Sequence, residues 1–226
     1  MIIEQGRVAD IPRLTDLWQE AFGDSPEFIE KFFQTGFVPE RSAVADGGAG
    51  ALYWFDCRFR GKKIAYIYAV ATEKKSRGKG ICGKLMAYTH QALKERGYAG
   101  AILVPAEESL SQMYGKMGYI PLKKAVILSA SEESPKHSKD SATEISVEEY
   151  MRLREKLLPE GAVHHTEKAF SYMAEFMKFY RFDGGILCGD VDDPAEVLPG
   201  GKGEPAMYRP FDDDRELPRY FALGMG

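Results

Sequence analysis

The stretch from Tyr66 to Met86, YIYAVATEKKSRGKGICGKLM, constrains the fold more than any other part of this sequence. Its first part continues an apolar, β-branched and aromatic run that begins at Ile64 and ends at Thr72, which predicts a buried strand. Glycines and basic residues follow, and from Ile81 apolar side chains recur at helical spacing. The stretch therefore predicts a strand that leads through a basic, glycine-rich turn into a helix.

A turn of this kind is suited to binding an anion. The first-turn amides of a helix have no intrahelical partner, and the helix dipole places partial positive charge there. Gly78, Gly80 and Gly83 would let a phosphate approach the backbone, and Arg77 and Lys79 add positive charge. We therefore expect a phosphate-binding site at the start of this helix, with an ordinary solvated turn as the alternative.

The composition is that of an ordinary globular protein and excludes several functional classes. Charged residues make up 28% and hydrophobic residues 44% of 226 positions, which suits one large domain or one and a half small ones. The formal net charge of −4 does not indicate nucleic-acid or anionic-membrane binding. Cys57, Cys82 and Cys188 form no CxxC pair, and His164-His165 have no carboxylate at ligand spacing, so we expect neither a disulfide framework nor a metal site.

The N-terminal sequence and the apolar runs predict a cytoplasmic protein. MIIEQGRVADIPRL has no basic region followed by an apolar one, so we expect no signal peptide. No apolar run approaches the ~20 residues that a membrane helix needs.

The other patterns in the first half of the chain predict an α/β fold. Two helices, with limits marked by Asp10, Gly23 and Pro26, follow a first strand, and a hairpin over residues 42–60 leads into the organising strand. Another buried strand, Ala101–Pro105, follows the glycine-rich helix. The order β-α-α-β-β-β-α-β predicts a mixed sheet covered by helices.

A second pattern, EESLSQMYGKMGYIPL, comes directly after these elements. It places Leu110, Met113, Tyr114 and Met117 on one face of a helix that ends at Gly118. Taken by itself, this pattern predicts that Tyr114 is a tyrosine of the core.

Both patterns resemble signatures of the GNAT-type N-acetyltransferases. Arg77-Gly78-Lys79-Gly80-Ile81-Cys82 resembles their Arg/Gln-x-x-Gly-x-Gly/Ala pyrophosphate loop, with Cys82 departing from the small last residue. Tyr114, four residues before Gly118-Tyr119, resembles their tyrosine signature, and Glu107 stands where many members carry an Asn. The resemblance covers roughly residues 1–130.

The resemblance implies a mixed, mostly antiparallel sheet of the acyl-CoA N-acyltransferase fold. It implies acetyl-CoA as co-substrate and a primary amine of a small molecule or peptide as acceptor. Tyr114 would be the general acid that protonates the departing thiolate, and the base stays open among Glu107, Glu108, Asp56 and a water chain. The co-substrate would contact ten residues of the strand and loop, namely Val70, Ala71, Thr72, Arg77, Gly78, Lys79, Gly80, Ile81, Cys82 and Gly83.

The rest of the chain predicts a smaller C-terminal α/β half. Residues 131–141 are polar and interrupted by proline, which indicates a linker after a strand at Lys124–Ser129. Residues 142–226 resemble a truncated second acyltransferase half, as in the tandem acetyltransferases of the enhanced-intracellular-survival type. The expected elements include a helix over Thr166–Tyr180, a strand over Gly184–Val191, a loop over Pro194–Gly203, and edge strands at Met207-Tyr208 and Tyr220–Leu223.

Two other functions are compatible with the same loop. One is a non-catalytic acyl-CoA-binding or regulatory module, and the other is a nucleotide-binding protein. The absence of a GxxxxGK[ST] sequence weighs against the nucleotide-binding protein. The position of Cys82 at a helix start favours a lowered thiol pKa, but without a His or Asp nearby in the sequence we expect no acyl-cysteine.

Overall fold

The organising strand and the helix after it belong to a mixed eight-stranded sheet in the computed structural model, which describes residues 1–122, 141–201, 203–214 and 216–224. The strands are β1 (Ile3–Glu4), β2 (Ser42–Ala45), β3 (Gly50–Phe59), β4 (Lys62–Thr72), β5 (Gly100–Leu103), β6 (Ile120–Pro121), β7 (Thr143–Glu144), β8 (His164–His165), β9 (Phe179–Phe182), β10 (Gly185–Gly189), β11 (Pro194–Leu198) and β12 (Met207–Pro210). The α-helices are α1 (Ile11–Phe22), α2 (Pro26–Lys31), α3 (Ile81–Glu95), α4 (Glu108–Lys116), α5 (Val147–Leu157) and α6 (Glu167–Met173).

The strand order of the large sheet is β1-β2-β3-β4-β5-β12-β6, and β8 also pairs with β3. β4 and β5 run parallel because α3 crosses over between them, whereas the other pairs described in this sheet are antiparallel. A smaller sheet has the order β11-β10-β9-β7. The predicted fold class, a mostly antiparallel central sheet flanked by helices with a smaller C-terminal α/β half, is confirmed.

Local signals set the first two helices close to the predicted limits. Gly23 ends α1 in the left-handed conformation with φ +75°, a region that glycine enters at little cost. The Ser25 hydroxyl accepts a hydrogen bond from the Phe28 amide at 3.2 Å, and Pro26 occupies the first position of α2. A π-helical turn over Phe32–Gly36 then continues α2.

The two faces of the large sheet are covered by different helices. Side chains alternate along β3, so Tyr53 and Phe55 lie on the face covered by α1 and α6, and Leu52 and Trp54 lie on the face covered by α3. We call these the α1 face and the α3 face. The alternation matters for the site because functional groups on opposite faces can flank the same strand edge.

The C-terminal part of the chain contributes strands to the large sheet. β12 lies between β5 and β6, with Tyr208 opposite both Ile102 and Ile120. The prediction of Met207-Tyr208 as an edge strand is therefore wrong, because β5 offers its free edge to this strand. The regions predicted as separate halves, residues 1–130 and 142–226, share one sheet, while the strand at 124–129 and nearly all of the linker at 131–141 lie outside the described residues.

Three other predictions for the C-terminal part are wrong. The predicted helix over Thr166–Tyr180 ends at Met173, because Phe179–Phe182 pairs as β9 with β10. The predicted loop over Pro194–Gly203 contains β11, where the polar Glu196 is buried through an ion pair with Arg154. Tyr220–Leu223 forms only an isolated bridge between Tyr220 and Ala162. None of the helices in the described ranges is long and apolar enough to cross a membrane.

Candidate active site

A bulge interrupts the pairing of β4 with β3. Ala51 lies opposite Ala71, and Tyr53 lies opposite Tyr68, so β4 has one more residue than β3 over this interval. Ala69 takes up the extra length with a φ of +48°, a conformation that is uncommon for a residue other than glycine. The bulge bends β4 at the residues that lead to Val70, and a conformation of this kind is often kept at functional sites.

β4 and β5 separate at the same level. They pair only from Ile64 opposite Gly100 to Tyr66 opposite Ile102, although β4 continues to Thr72. Residues 67–72, which include the predicted Val70, Ala71 and Thr72, therefore have no partner in β5. Backbone amides and carbonyls need partners, so the gap between β4 and β5 is suited to an extended ligand that carries amide groups.

The glycine-rich turn lies at the end of β4 and forms the start of α3. Gly78 and Gly80 have φ values of +75° and +76°, and a Cβ atom built on either would meet no atom within 4 Å. The Arg77 guanidinium donates a hydrogen bond to the Thr72 carbonyl at 3.2 Å, which ties the turn to the end of β4. The loop thus presents an open face beside the first-turn amides of α3, as an anion site requires.

The first residues of α3 differ in their exposure. Ile81 is buried in the α3-face core, and Cys82 is partly buried against it. Burial raises the pKa of the Cys82 thiol, so the expectation of a lowered pKa is wrong. At Gly83 a Cβ atom would lie 4.0 Å from the Met117 methyl, and Lys79 is exposed with its ammonium 2.9 Å from the Lys75 carbonyl.

Tyr114 is buried on α4 and belongs to the α3-face core. Its ring packs edge-on against Tyr119, with ring centroids 5.8 Å apart, and no described residue hydrogen-bonds to its hydroxyl. Burial raises the pKa of this hydroxyl well above its ordinary value, with a smaller contribution from the nearby Cys82. Tyr114 therefore stays protonated at neutral pH and lies close to the start of α3.

Asp56, one of the predicted candidates for the base, is placed elsewhere. It lies opposite Ala65 in the paired part of β3 and β4, where Arg41 contacts it at 2.8 Å, Lys63 at 3.4 Å and the Tyr98 hydroxyl at 2.5 Å. It also lines a separate cavity of about 570 Å³ at the hairpin end of these strands. The structure does not bring Asp56 to the gap, so this candidate is wrong.

Glu107 and Glu108 lie at the start of α4 and are exposed. The Glu107 carboxylate accepts a hydrogen bond from the Ser109 hydroxyl at 3.1 Å. Exposed carboxylates with ordinary solvation have no structural feature that marks them as a base.

A half-buried carboxylate that the sequence did not indicate lies near the end of β5. Glu204 stands between Gly203 and Pro205 in the segment that leads into β12, a context without any motif. A Cβ atom built on Gly224 would lie 3.5 Å from the Glu204 carboxyl carbon and 3.1 Å from Val104, the residue that follows β5. Burial raises the pKa of the Glu204 carboxyl, while a hydrogen bond from the Gly224 amide acts in the opposite direction.

Buried aromatic residues from both parts of the chain pack together on the α1 face of β4. The hydroxyls of Tyr68 on β4 and Tyr172 on α6 are 3.2 Å apart, and the ring of Phe221 lies 5.1 Å from that of Tyr66. No group of three or more metal-ligating side chains occurs within the described ranges.

The fold is shared with solved structures of low sequence identity. A protein of Pyrococcus horikoshii assigned as an acetyltransferase superposes with a TM-score of 0.65 at 12% identity, over 98% of this chain and 93% of its own. Eis1 of Mycobacterium abscessus gives 0.62 at 14% over 83% and 53%, and a GCN5-related N-acetyltransferase of Kribbella flavida gives 0.61 at 14% over 98% and 68%. This chain thus spans about half the length of Eis1.

Comparison with curated protein sequences gave no significant match. The sequence profile of the acetyltransferase (GNAT) domain, in contrast, matches residues 3–122, more than half of the chain. This range contains the bulge of β4, the gap, the glycine-rich turn and Tyr114. The protein therefore belongs to the GNAT acetyltransferase family, whose chemistry is acyl transfer from coenzyme A.

Proposed function

We propose that the protein is an N-acetyltransferase that transfers the acetyl group of acetyl-CoA directly to a primary amine. The observation that carries this proposal is the gap between β4 and β5, which ends at the glycine-rich turn. A ligand with an extended amide-bearing arm and a pyrophosphate fits this arrangement, because the arm would pair with the edge of β4 and the phosphates with the start of α3.

The proposed reaction depends mainly on positioning. Val70, Ala71 and Thr72 would hold the arm by backbone hydrogen bonds, and an amide at the bulge would stabilise the negative charge that develops on the thioester carbonyl. Residues 77–83 would hold the pyrophosphate. Tyr114 would donate its proton to the departing thiolate, a role that suits a hydroxyl kept protonated by burial.

The acceptor would approach from the α1 face. Tyr172 and Phe221 from the C-terminal part of the chain lie against Tyr68 and Tyr66 of β4. We therefore propose that residues 142–226 act as an accessory, truncated GNAT-like half that walls the acceptor site. An aromatic wall of this kind favours a small molecule or peptide amine with apolar groups beside the nitrogen.

A thiol-release assay tests the proposed function. The purified full chain is mixed with acetyl-CoA and a panel of primary amines, and free thiol and acetylated amine are both measured. We expect thiol release that requires an amine and equals the amount of acetylated product. Binding of acetyl-CoA without amine-dependent thiol release would indicate the non-catalytic acyl-CoA-binding module instead. Binding of ATP that coenzyme A does not displace would indicate a nucleotide-binding protein.

A further inference from the structure

We propose that Glu204 is the general base that accepts the proton of the acceptor amine. This inference rests on the proposed N-acetyltransferase function. It fills a role for which Asp56 is misplaced and for which Glu107 and Glu108 have no distinguishing environment.

Strand register places Glu204 beyond the end of β5, at the level where β4 and β5 separate. β12 runs antiparallel to β5 with Met207 opposite Leu103, so the three residues before Met207 extend past the end of β5 on the side where β4 and β5 separate. The backbone there is fixed, because the Glu204 amide donates to the Phe221 carbonyl at 2.7 Å and the Ala206 amide donates to the Glu204 carbonyl at 2.7 Å.

The side chain of Glu204 lies on the α1 face. Ile102 and Val104 pack with the α1-face core, whereas Leu103 packs with the α3-face core, as alternation along β5 requires. The carboxyl carbon of Glu204 and the side chain of Val104 both lie beside Gly224, because a Cβ atom built there would come within 3.5 Å and 3.1 Å of them. Tyr114 is on the α3 face. The base and the acid would therefore stand on opposite faces of the gap, with the thioester between them.

The electrostatic setting of Glu204 differs from that of the other buried carboxylates. Glu196 is paired with Arg154 at 2.7 Å and Glu73 with Arg13 at 2.5 Å, so their charge is neutralised. No described cation forms an ion pair with Glu204. Its charge contributes to the raised pKa of the Tyr220 hydroxyl, which donates a hydrogen bond to Glu196. Burial raises the pKa of the Glu204 carboxyl with no described cation to offset it, which brings its basicity closer to that needed at neutral pH.

The protons balance in this scheme. The ammonium gives one proton to the Glu204 carboxylate, which passes it to solvent, and the free nitrogen lone pair forms the C–N bond to the thioester carbon. The C–S electron pair leaves on sulfur, which takes the Tyr114 proton. The second excess proton on nitrogen goes to Glu204 and then to solvent, and solvent returns a proton to Tyr114, so one proton is released per turnover.

The test compares Glu204→Gln with wild type and with Glu95→Gln, the same change at an exposed position of α3. We expect Glu204→Gln to lower kcat/KM about 10²-fold or more near pH 7, within the usual range for a general base, while the Kd for acetyl-CoA stays unchanged. The loss should shrink as the pH approaches the pKa of the amine, because free amine then forms without a base. Thermal unfolding of each variant, together with Glu204→Asp, separates this effect from misfolding.

Three results would overturn the inference. Wild-type kcat/KM in a folded Glu204→Gln protein across the pH range would remove Glu204 from the reaction while leaving the acetyltransferase function intact. A comparable loss in Glu107→Gln or Glu108→Gln, with Glu204→Gln active, would assign the base to α4. Wild-type protein that binds acetyl-CoA but acetylates no amine would overturn both this inference and the proposed function.

Discussion

Tyr114 combines a packing role with a proposed chemical role, and its environment distinguishes them. Its ring is part of the α3-face core, but no described residue satisfies its hydroxyl. A bound co-substrate could therefore accept a hydrogen bond from this hydroxyl, as the proposed role requires.

Tyr114→Phe tests the chemical role because the ring and its packing are kept. We expect kcat to fall by about 10²-fold, near the lower edge of the range for general acids, because a thiolate already leaves readily and the raised pKa of the hydroxyl makes it a weak acid. The KM for acetyl-CoA should change little, since the proton is transferred only in the transition state. Tyr119→Phe, in the same cluster but bonded to His90 at 2.9 Å, is the matched control. Unchanged kcat in Tyr114→Phe would leave this residue with packing alone.

Gly80 tests the anion site through charge. The position is open to solvent but has a φ of +76°, so a side chain there is strained without any clash. Gly80→Asp would add a carboxylate beside the phosphates and should abolish coenzyme A binding, whereas Gly80→Asn, which has nearly the same shape and tolerates this φ, should weaken it less. Calorimetric titration with coenzyme A measures both, and equal affinities for the two variants would mean that the loop does not contact an anion.

The sequence predicted the local structure around Gly78, Gly80 and Tyr114, the turn and the helix in which they lie. Gly78, Gly80 and Tyr114 stand in contiguous patterns that define a strand-to-helix turn or a helix face. Glu204 could not be predicted in this way, because its place depends on the pairing of β12 with β5, about 100 residues apart in the chain. The thiol pKa of Cys82 was predicted wrongly because the helix start alone suggested a lower value, whereas tertiary burial raises it.

At the scale of elements, β12 supports β5, the strand that faces β4 across the gap. It pairs along the edge of β5 that faces away from β4, and it joins β6 to the sheet. β5 is therefore held in place from one side only at the level where β4 leaves it. The gap depends on strands from both ends of the chain.

A chain truncated after residue 130 tests this dependence. It would lack β12 and β8, so β5 and β3 would each lose a partner. Among the described strands β6 pairs only with β12 and would lose that partner, and the aromatic α1 face would be exposed. We expect the fragment to be insoluble or to lack the cooperative unfolding of the full chain, as circular dichroism and thermal melting would report. Co-expression of residues 141–226 as a separate chain should restore a soluble complex. A stable 1–130 fragment with full activity would contradict this expectation.

The elements of the first half were predicted well and those of the second half less well, for a physical reason. In the first half, hydrophobic periodicity and turn residues agree with the final pairing. In the second half, β11 buries Glu196, which the sequence presents as a polar loop residue. Arg154 and the hydroxyls of Tyr150 and Tyr220 satisfy that carboxylate, and these partners come from distant segments.

At the scale of the whole molecule, two buried histidines lie where the C-terminal part of the chain contacts the N-terminal part. The Nδ1 atom of His90 on α3 accepts a hydrogen bond from Arg209 on β12 at 2.8 Å, because an arginine can only donate. The Nε2 atom of His165 donates to the Ala222 carbonyl at 2.8 Å, which leaves its Nδ1 atom to face the Cys57 thiol at 3.6 Å. Both rings are therefore neutral in the folded protein.

These two histidines predict a loss of stability in mild acid. Burial lowers the pKa of His90 to about 3 and that of His165 to about 4, both from an ordinary value of 6.5. Below pH 6.5 the unfolded chain binds protons that the folded protein does not, so the free energy of unfolding falls as the pH drops from about 6.5 towards the folded-state values. The slope should approach about 1.4 kcal/mol per pH unit for each histidine.

Urea unfolding at several pH values measures this slope. His90→Gln or His165→Gln should each remove about half of it, because a glutamine side chain does not titrate. A free energy of unfolding that stays constant from about pH 7 to about pH 5 would show that the rings are not held neutral by the fold.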